Sequence, residues 1–282
     1  MIVIDYNGIA IAGVVVQKLE INEDLIRHMI LNSIRMYNKK FRDEYGQVVI
    51  ACDARTWRRD YFPNYKFKRR ENRDESSADW DEIFRIINQV RDEIRQNFPY
   101  KVIHIDGCEA DDIIGALAYE TQEFGKNEPM MIVSSDKDFV QLHKFSNVKQ
   151  FSPMQKKAVV EKNPRQYLFE HILKGDSGDG VPNTLSPDNT FVDGIRQSPV
   201  TKKKIDEWLK NAEDLESFMD ENTYRNYVRN KNLIDLSCTP SHLKEAIINT
   251  FEEDPVGIKR NVLNYLIKKR CKMLIECVEE FY

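Results

Sequence analysis

The chain has 282 residues, 41% of them hydrophobic, and a formal net charge of −4. This length and apolar content are sufficient for one large domain or two ordinary ones. Its apolar runs fall short of the roughly 18 residues that cross a membrane, and the N-terminus lacks a basic leader, so we expect a cytoplasmic protein. Five widely spaced cysteines without a C-x-x-C pair argue against a disulfide framework and a zinc site.

Short apolar runs and segments of helical periodicity alternate through the first half of the chain. The strand candidates are residues 1–4, 48–52, 101–105 and 130–133. The helix candidates between them are residues 24–41, 81–98 and 111–124. Strands that alternate with helices predict an α/β fold with a mostly parallel central sheet flanked by helices.

The sequence changes character near Asn163. Beyond this residue the strand-like runs give way to helical pieces at residues 167–173 and 201–209. Residues 175–199 contain four glycines and three prolines, which predicts a long loop. We therefore expect an α/β domain at residues 1–163 and a helical region at residues 164–282.

Aspartates stand at the ends of three strand candidates. Asp5 follows the first run, Asp53 follows the second, and Asp136 lies three residues after the fourth, with Asp138 two residues further on. The carboxyl ends of parallel strands share one edge of a sheet, where open α/β folds bind ligands. The pattern predicts that these carboxylates gather in one crevice, although aspartate is also common in turns and at helix starts for structural reasons alone.

A fourth acidic group follows the third strand candidate. The run leads to Asp106 and then to Glu109, Asp111 and Asp112 at the start of a helix. Capping and the helix dipole are a sufficient explanation for Asp112. Glu109 and Asp111 belong to a strand-to-helix connection on the same predicted edge, which makes them candidates for the crevice.

The last acidic group, Asp176 and Asp179, lies in a glycine-rich turn, and the turn alone would also explain these residues.

Carboxylates about 4 Å apart repel by roughly 4 kcal/mol per pair at an effective dielectric near 20. Converging acids therefore call for divalent cations, and ligation by carboxylates alone favours Mg²⁺ or Mn²⁺. Two such ions can activate water and stabilise the attacking and leaving oxygens of a phosphodiester.

A basic and aromatic segment follows Asp53. Residues 55–73 hold eight basic and two acidic residues, a net +6, which leaves about −10 for the remainder of the chain. Alternating cations and rings can bind phosphates and stack on unpaired bases, although a solvated helix face with snorkelling lysines has a similar composition. We assign Lys66 and Arg58 to the scissile phosphate, where positive charge stabilises the transition state. The candidates for other nucleic-acid contacts are Arg59, Tyr65, Lys68, Arg69, Arg70 and Arg73.

In this order, the motifs resemble those of the flap-endonuclease and 5′-exonuclease family, and especially its T-even-phage ribonuclease H type. The segments that carry the resemblance are Ile4-Asp5, Cys52-Asp53 with Trp57-Arg58-Arg59-Asp60, Glu109-Ala110-Asp111-Asp112, Ser134-Ser135-Asp136-Lys137-Asp138-Phe139, and residues 174–179. Similarity continues at residues 141–144, 147–150, 152–154 and 233–235. The resemblance thus covers almost the whole chain.

The resemblance implies a nuclease core of PIN type, a helical arch and a smaller helical C-terminal domain with a helix-three-turn-helix-like element. The arch segment, about residues 57–80, would enclose or cover a 5′ single strand, with Lys66 as its catalytic lysine. Residues 163–183 would grip a duplex through backbone amides, which include those of Gly178 and Gly180. Residues 184–198 depart from the family pattern, so a phosphate-binding role for Lys202, Lys203 and Lys204 does not carry over.

The resemblance also distributes the acids between two cations. The first would be held by Asp5, Asp53, Asp111 and Asp136, with Glu109 in contact with it or directly behind its ligands. The second would be held by Asp138 and Asp179, with Asp176 nearby. The implied cofactor is two Mg²⁺ ions, for which Mn²⁺ would substitute.

The implied activity is that of a 5′-3′ nuclease that removes RNA primers and adjoining DNA from lagging-strand fragments of a phage in its host's cytoplasm. Its substrates would be RNA·DNA hybrids and DNA duplexes with a 5′ flap, fork or nick. The protein would act as a monomer, with a phage single-stranded-DNA-binding protein as a partner. Two alternatives are a non-catalytic junction-binding protein and a PIN-type nuclease specific for RNA. The complete acidic set disfavours the former, and the basic arch segment disfavours the latter.

Overall fold

A computed structural model describes residues 1–17 and 21–282, which form two compact units. The sheet unit comprises Met1–Arg55, Asp79–Val160 and Ser241–Tyr282. The helical unit comprises Thr56–Ala78 and Glu161–Pro240. Each unit is therefore discontinuous in sequence, whereas the sequence predicted two consecutive domains that divide near Asn163.

The sheet unit is built on a six-stranded sheet in the order β3-β2-β1-β4-β5-β6. The strands are β1 (Ile2–Asp5), β2 (Val48–Ala51), β3 (Lys101–Ile103), β4 (Met130–Val133), β5 (Val148–Ser152) and β6 (Lys157–Val159). Neighbouring strands are parallel, except for β6, which pairs with β5 in the antiparallel direction. The predicted α/β class with a mostly parallel sheet is confirmed.

Helices flank this sheet and form most of the helical unit. They are α1 (Tyr6–Gln17), α2 (Glu23–Tyr45), α3 (Arg58–Tyr61), α4 (Phe67–Asp74), α5 (Trp80–Asn97), α6 (Ala110–Glu120), α7 (Pro164–Lys174), α8 (Lys202–Lys210), α9 (Leu215–Phe218), α10 (Glu221–Ile234), α11 (Ser241–Glu252), α12 (Lys259–Lys268) and α13 (Lys272–Ile275). Short 3₁₀ helices lie at Glu123–Gly125, Asp138–Lys144, Leu236–Cys238 and Val278–Phe281. Within the described residues, none of these helices has the length and apolar character needed to span a bilayer.

The core of the sheet unit explains why the C-terminal residues belong to it. Ile26, Ile30 and Ile34 line one face of α2 at the four-residue spacing of a helix and are buried against the sheet. Leu266 of α12 and Phe281 are fully buried in the same cluster. The C-terminal helices therefore complete the hydrophobic core instead of forming a separate domain.

Some elements differ from the prediction for identifiable reasons. The run that forms α1 is almost uniformly apolar, and periodicity alone does not distinguish a buried helix from a buried strand. In β5, Lys149 and Gln150 interrupt the apolar run that would have marked a strand. The strand predicted at residues 101–105 ends at Ile103, and the helix predicted at residues 111–124 ends at Glu120.

A buried ionic cluster joins three helices of the sheet unit at Glu93 of α5. This carboxylate accepts hydrogen bonds from Arg27 Nε on α2 at 2.8 Å, and from Tyr265 Oη and Lys269 Nζ, on and just after α12, at 2.7 and 2.5 Å. The Arg27 side chain is only 1% exposed and also pairs with Glu23. Although burial opposes ionisation, the hydrogen bonds from Arg27 and Lys269 lower the pKa of Glu93 to about 2.

The helical unit has two small apolar cores. One packs Phe62 and Tyr65 of the arch segment against Val181, Leu233 and other residues. The second surrounds Trp208 of α8. The arch segment is thus anchored by its apolar side chains, while its cations lie on α3, on α4 and at Lys66, the residue before α4.

The residues that depart from the family pattern form an ordered loop. Asp188 makes a bidentate pair with Arg225 of α10, at 2.8 and 3.1 Å, and a further ion pair with Arg229. Its backbone carbonyl accepts a hydrogen bond from Asn64 Nδ2 at 3.0 Å. One aspartate therefore ties residues 184–198 both to α10 and to the start of the arch segment.

Candidate active site

Three predicted acids converge at the carboxyl edge of the sheet. Asp5 ends β1, which lies between β2 and β4, while Asp53 and Asp136 follow those two neighbouring strands. Burial raises the pKa of Asp5 to about 7, and the carboxylates of Asp53 and Asp136 add to this effect. The strand-end aspartates are therefore close enough for Asp53 and Asp136 to oppose the ionisation of Asp5.

Hydrogen bonds fix these acids in place. Asp5 Oδ1 accepts from Gly8 N at 2.9 Å, and Asp5 Oδ2 accepts from Ser134 Oγ at 2.8 Å. Ser134 Oγ in turn accepts from Asp136 N at 3.1 Å. A Cβ at residue 8 would lie 2.4 Å from Asp5 Oδ2, so any larger residue there would displace the Asp5 carboxylate. Gly8 was not among the predicted site residues, and Ser134 was part of a family motif without a role of its own. Their signals in the sequence are a glycine three residues after one aspartate and a serine two residues before another.

The start of α6 adjoins the same acids. Asp53 Oδ1 accepts a hydrogen bond from Ala110 N at 2.8 Å, so this aspartate also satisfies a donor at the helix start. Glu109 is buried, Asp111 is partly buried, and Asp112 Oδ2 accepts from Glu109 N at 2.9 Å. Asp112 therefore caps the start of α6, as its position in the sequence suggested.

Asp138 continues the group on the 3₁₀ helix after β4. Its backbone amide donates to Asp136 Oδ1 at 2.9 Å, which brings the two residues together. Asp106, by contrast, is exposed and lies three residues beyond the end of β3. The strand-end position of Asp106 therefore does not continue the pattern of the other acids.

An open cavity of about 710 Å³ begins at this acidic edge. Asp5 and Asp136 line one side of it, and its other walls come from α1, α2 and the residues that follow β4 and β5. Gly8 and Gly13 of α1 have no side chain and Ala12 has only a methyl group, which leaves room beside the carboxylates. Asp5 and Asp136 thus border an open cavity.

In the helical unit, Asp176 and Asp179 lie in a tight turn. Asp176 and Val181 exchange backbone hydrogen bonds at 2.9 and 2.7 Å, and Asp176 Oδ1 accepts from Asp179 N at 3.0 Å. A hydrogen bond from His171 lowers the pKa of Asp176. Gly180 has a φ of +72°, and a Cβ there would lie 3.0 Å from Asn64 O, so the turn requires glycine where the arch segment packs on it.

Asp179 is buried among groups of the arch segment. Its carboxylate accepts a hydrogen bond from Tyr65 Oη at 2.9 Å, and it lies 2.5 Å from Arg69 Nη2 and 3.6 Å from Lys66 Nζ. The backbone is linked as well, because Lys66 N donates to Asp179 O at 2.7 Å. The structure thus pairs a predicted metal ligand with a predicted catalytic lysine.

The other predicted nucleic-acid residues occupy different environments. Arg58 is 2% exposed and donates from Nε to Leu233 O at 2.9 Å. Tyr65 is 3% exposed, so its ring serves here in packing. Lys68 and Arg70 are exposed, and Arg59 and Arg73 are partly exposed.

The two glycines predicted to contact nucleic acid make backbone hydrogen bonds within the helical unit. Gly178 O accepts from Arg69 Nε at 3.3 Å, and Gly180 N donates to Ser177 O at 3.3 Å.

The sheet-unit acids fit a hard divalent cation. Oxygen ligands suit Mg²⁺ and Mn²⁺, and a bound cation would offset the burial and the nearby negative charges that raise the pKa of Asp5. Asp5, Asp53 and Asp136 offer carboxylate oxygens, which are hard ligands. The site therefore has the composition of a metal centre for phosphoryl chemistry.

Comparison with family models yields two matches. The model described as "5′-3′ exonuclease, N-terminal resolvase-like domain" matches residues 4–167. The model described as "T4 RNase H, C terminal" matches residues 164–281. Together they cover nearly the whole chain.

Curated relatives and solved structures agree with these matches. Ribonuclease H of Enterobacteria phage T4 is 35% identical over 291 aligned residues, which cover 99% of this chain and 94% of that protein. A 5′-3′ exonuclease of Buchnera aphidicola subsp. Schizaphis graminum is 28% identical over 152 residues, about half of each chain.

Two bacteriophage T5 structures share the fold. The 5′-exonuclease with bound zinc has a TM-score of 0.59 and 16% identity, with 97% of this chain and 98% of that chain covered. The T5 flap endonuclease in a pseudo-enzyme-product complex with DNA and metal ions has the same score and identity, with 95% and 98% covered. At this identity the two structures show similarity of fold.

Proposed function

This chain belongs to the 5′-3′ exonuclease family, and we propose that it is a 5′ nuclease that removes RNA primers and adjoining DNA during phage DNA replication. We infer ribonuclease H and flap endonuclease activities on RNA·DNA hybrids and on duplexes with a 5′ flap, fork or nick. The ribonuclease of phage T4 matches along nearly its whole length, which supports the first activity. The T5 flap endonuclease, crystallised with DNA and metal ions, supports the second through its shared fold.

One observation carries this proposal: three carboxylates lie at adjacent strand ends, and burial with nearby negative charge raises the pKa of one of them, Asp5, to about 7. The raised pKa of Asp5 shows that burial and like charge oppose its ionisation. Such an arrangement costs stability unless the acids bind something positive, as a nuclease site does. A junction-binding protein without catalytic activity would gain nothing from carboxylates that repel phosphate.

We propose two Mg²⁺ ions as the cofactor, with Mn²⁺ as a substitute. Asp5, Asp53, Asp111 and Asp136 would hold the first, supported by Glu109. Asp138, Asp176 and Asp179 would serve the second. When bound, the ions would activate a water molecule and stabilise charge on the phosphodiester oxygens.

The chain's own cations would orient the substrate. Lys66 lies 3.6 Å from Asp179 and is partly exposed, so its ammonium is accessible to a phosphate. Arg58 is buried, and a contact with the scissile phosphate would require its side chain to move. Lys66 is therefore the stronger candidate for stabilising the transition state. Arg69, Arg70 and Arg73 would bind neighbouring phosphates.

We propose that the protein acts in the cytoplasm of the phage's host, as a monomer that meets a phage single-stranded-DNA-binding protein at the fork. The similarity to a ribonuclease of phage T4 supports the phage setting. Retention of the protein on a column of that binding protein, compared with a blank column, would test the contact.

The decisive experiment is cleavage of a 5′-labelled RNA·DNA hybrid in Mg²⁺. Short labelled oligonucleotides should appear, and EDTA should prevent their release. Flapped, nicked and single-stranded RNA substrates should be tested in parallel. Absence of cleavage on all of them in Mg²⁺ and Mn²⁺, with binding intact, would favour a junction-binding protein. Preference for single-stranded RNA over flapped DNA would favour an RNA-specific nuclease.

A further inference from the structure

The backbone that carries Asp136 is held by a buried amide on the neighbouring strand. Gln150 of β5 is 1% exposed. Its Nε2 donates to Ser134 O at 3.0 Å and to Asp136 O at 2.6 Å. One side chain thus uses both amide hydrogens to clamp the two ends of the three-residue turn that follows β4.

The contacts determine the orientation of this amide. Carbonyl oxygens can only accept hydrogen bonds, so the NH₂ group of Gln150 must face the turn and Oε1 must face away. His143 Nε2 lies 3.0 Å from Gln150 Oε1. Because that oxygen can only accept, His143 must carry a proton on Nε2 and donate it. The histidine therefore keeps the amide from rotating into the reversed orientation.

The clamped turn controls the positions of three acids. Ser134 Oγ donates to Asp5 Oδ2 at 2.8 Å and accepts from Asp136 N at 3.1 Å. Asp138 N donates to Asp136 Oδ1 at 2.9 Å. A shift of the turn would therefore move Asp136 directly and affect Asp5 and Asp138 through one hydrogen bond each.

From this geometry we propose that Gln150 is a positioning residue for the nuclease reaction and that His143 sets its orientation, an inference that rests on the proposed function. Gln150 would act through the backbone and not through contact with the substrate. It holds the carbonyls of Ser134 and Asp136, so the carboxylates are arranged before cations bind. Groups that orient metal ligands in this way typically change metal affinity or activity by about 10- to 100-fold when removed.

Asn147 offers a matched control because it lies just before the opposite end of β5. Its Nδ2 donates to Thr121 Oγ1 at 3.0 Å and to Glu128 O at 2.7 Å. Like Gln150, it therefore joins β5 to neighbouring segments through two donated hydrogen bonds. Because the carboxyl edge lies at the other end of the strand, loss of these bonds should affect stability without affecting the acids.

The test compares Gln150→Met, which preserves side-chain length without the donors, with Asn147→Leu. For each protein we would measure Mn²⁺ affinity without nucleic acid, cleavage kinetics in Mg²⁺, DNA binding in EDTA, and thermal unfolding. We expect Gln150→Met to weaken Mn²⁺ binding or lower kcat by about 10- to 100-fold, with KM and metal-free DNA binding changed by less than about threefold. Asn147→Leu should leave all three functional quantities near their wild-type values.

His143 provides a second, independent pair of variants should Gln150→Met fail to fold. His143→Gln can still donate to Gln150 Oε1, whereas His143→Leu cannot. We expect His143→Leu to lower kcat or Mn²⁺ affinity and His143→Gln to restore most of the loss. Equal behaviour of these two variants would overturn the role of His143.

Wild-type values of kcat and Mn²⁺ affinity in Gln150→Met, or an equal loss in Asn147→Leu, would overturn the role of Gln150. A wild-type protein without nuclease activity would instead refute the proposed function. In that case the Mn²⁺ measurements would still decide whether Gln150 positions the acids.

Discussion

Arg69 Nη2 lies 2.5 Å from Asp179 Oδ1. A cation of the arch segment is therefore paired with the carboxylate that the family resemblance assigns to the second metal ion. Lys66 and Tyr65 contact the same carboxylate. A metal ion at Asp179 would have to compete with these partners. The arch cations thus balance the charge of Asp179.

We predict that Arg69→Gln strengthens metal binding in the absence of nucleic acid. A single ion pair that remains partly exposed contributes up to about 1 kcal/mol, so its loss should lower the Mn²⁺ dissociation constant by about two- to fivefold. Mn²⁺ titration followed by electron paramagnetic resonance would measure the change.

Lys68→Gln is the control, because it removes an equal charge whose Nζ lies 5.3 Å from the centre of the Phe191 ring. Equal effects of the two variants would indicate a long-range charge effect. Weaker Mn²⁺ binding by Arg69→Gln would contradict competition at Asp179.

The pairing of Asp179 illustrates what sequence patterns can reveal. Asp5, Asp53 and Asp136 were predictable because each follows a short apolar strand, and parallel strands share an edge. Asp179 meets Lys66 across more than a hundred residues, and only tertiary packing determines such a contact. Gln150 belongs to a segment that carries the family resemblance, but its contacts with Ser134 and Asp136 depend on the pairing of β5 with β4, which the sequence did not predict.

The division of the chain into units could not be predicted from the sequence for a related reason. Each helix of the C-terminal region has its own apolar pattern, but that pattern does not specify which core it joins. Leu266 and Phe281 complete the core of the sheet unit, whereas Trp208 belongs to a core of the helical unit. A change of composition near Asn163 therefore marks the end of the strands and not the end of the sheet unit.

We predict that Asp136→Asn abolishes cleavage while nucleic-acid binding persists. The substitution preserves the size of the side chain but removes the charge that a cation requires, so kcat should fall by at least about 100-fold. Cleavage of the labelled hybrid and fluorescence anisotropy in EDTA would separate the two properties.

Asp106→Asn should retain wild-type cleavage, since Asp106 is exposed and lies outside the acidic group. Activity of Asp136→Asn comparable to that of the wild type would reject the metal assignment. Similar losses in both variants would show that general acidity, and not one specific ligand, supports cleavage.

Asp5→Asn should abolish cleavage yet stabilise the metal-free protein at pH 8. In the folded protein the pKa of Asp5 is raised to about 7 from an ordinary value of 3.8, so stability is lost as the pH rises through about 7. An uncharged amide avoids this loss and can still accept a hydrogen bond from Gly8 N. We expect a gain of roughly 1–3 kcal/mol at pH 8 that disappears below about pH 4.

Urea unfolding in EDTA at pH 8 and pH 4 would measure this difference. Saturating Mg²⁺ should remove the advantage of Asp5→Asn, because the wild-type acids then bind cations. A variant less stable than the wild type at pH 8 in EDTA would show that the carboxylate contributes more through its hydrogen bonds than it costs through burial.

Glu93→Gln should destabilise the protein near neutral pH and lose this effect in acid. The pKa of Glu93 is lowered to about 2 from an ordinary value of 4.5, so its stabilising contribution is present above about 4.5 and is lost as the pH falls through about 2. The substitution also leaves the charge of Arg27, whose side chain is 1% exposed, with fewer partners. We expect a loss of roughly 2–3 kcal/mol in the free energy of unfolding at pH 6 that shrinks towards zero near pH 2.

Urea unfolding at both pH values would measure this loss. Glu82→Gln is the control, because the pair of Glu82 with Arg85 is exposed and should contribute little. Equal stabilities of Glu93→Gln and the wild type at pH 6 would show that this cluster does not hold α12 to the core.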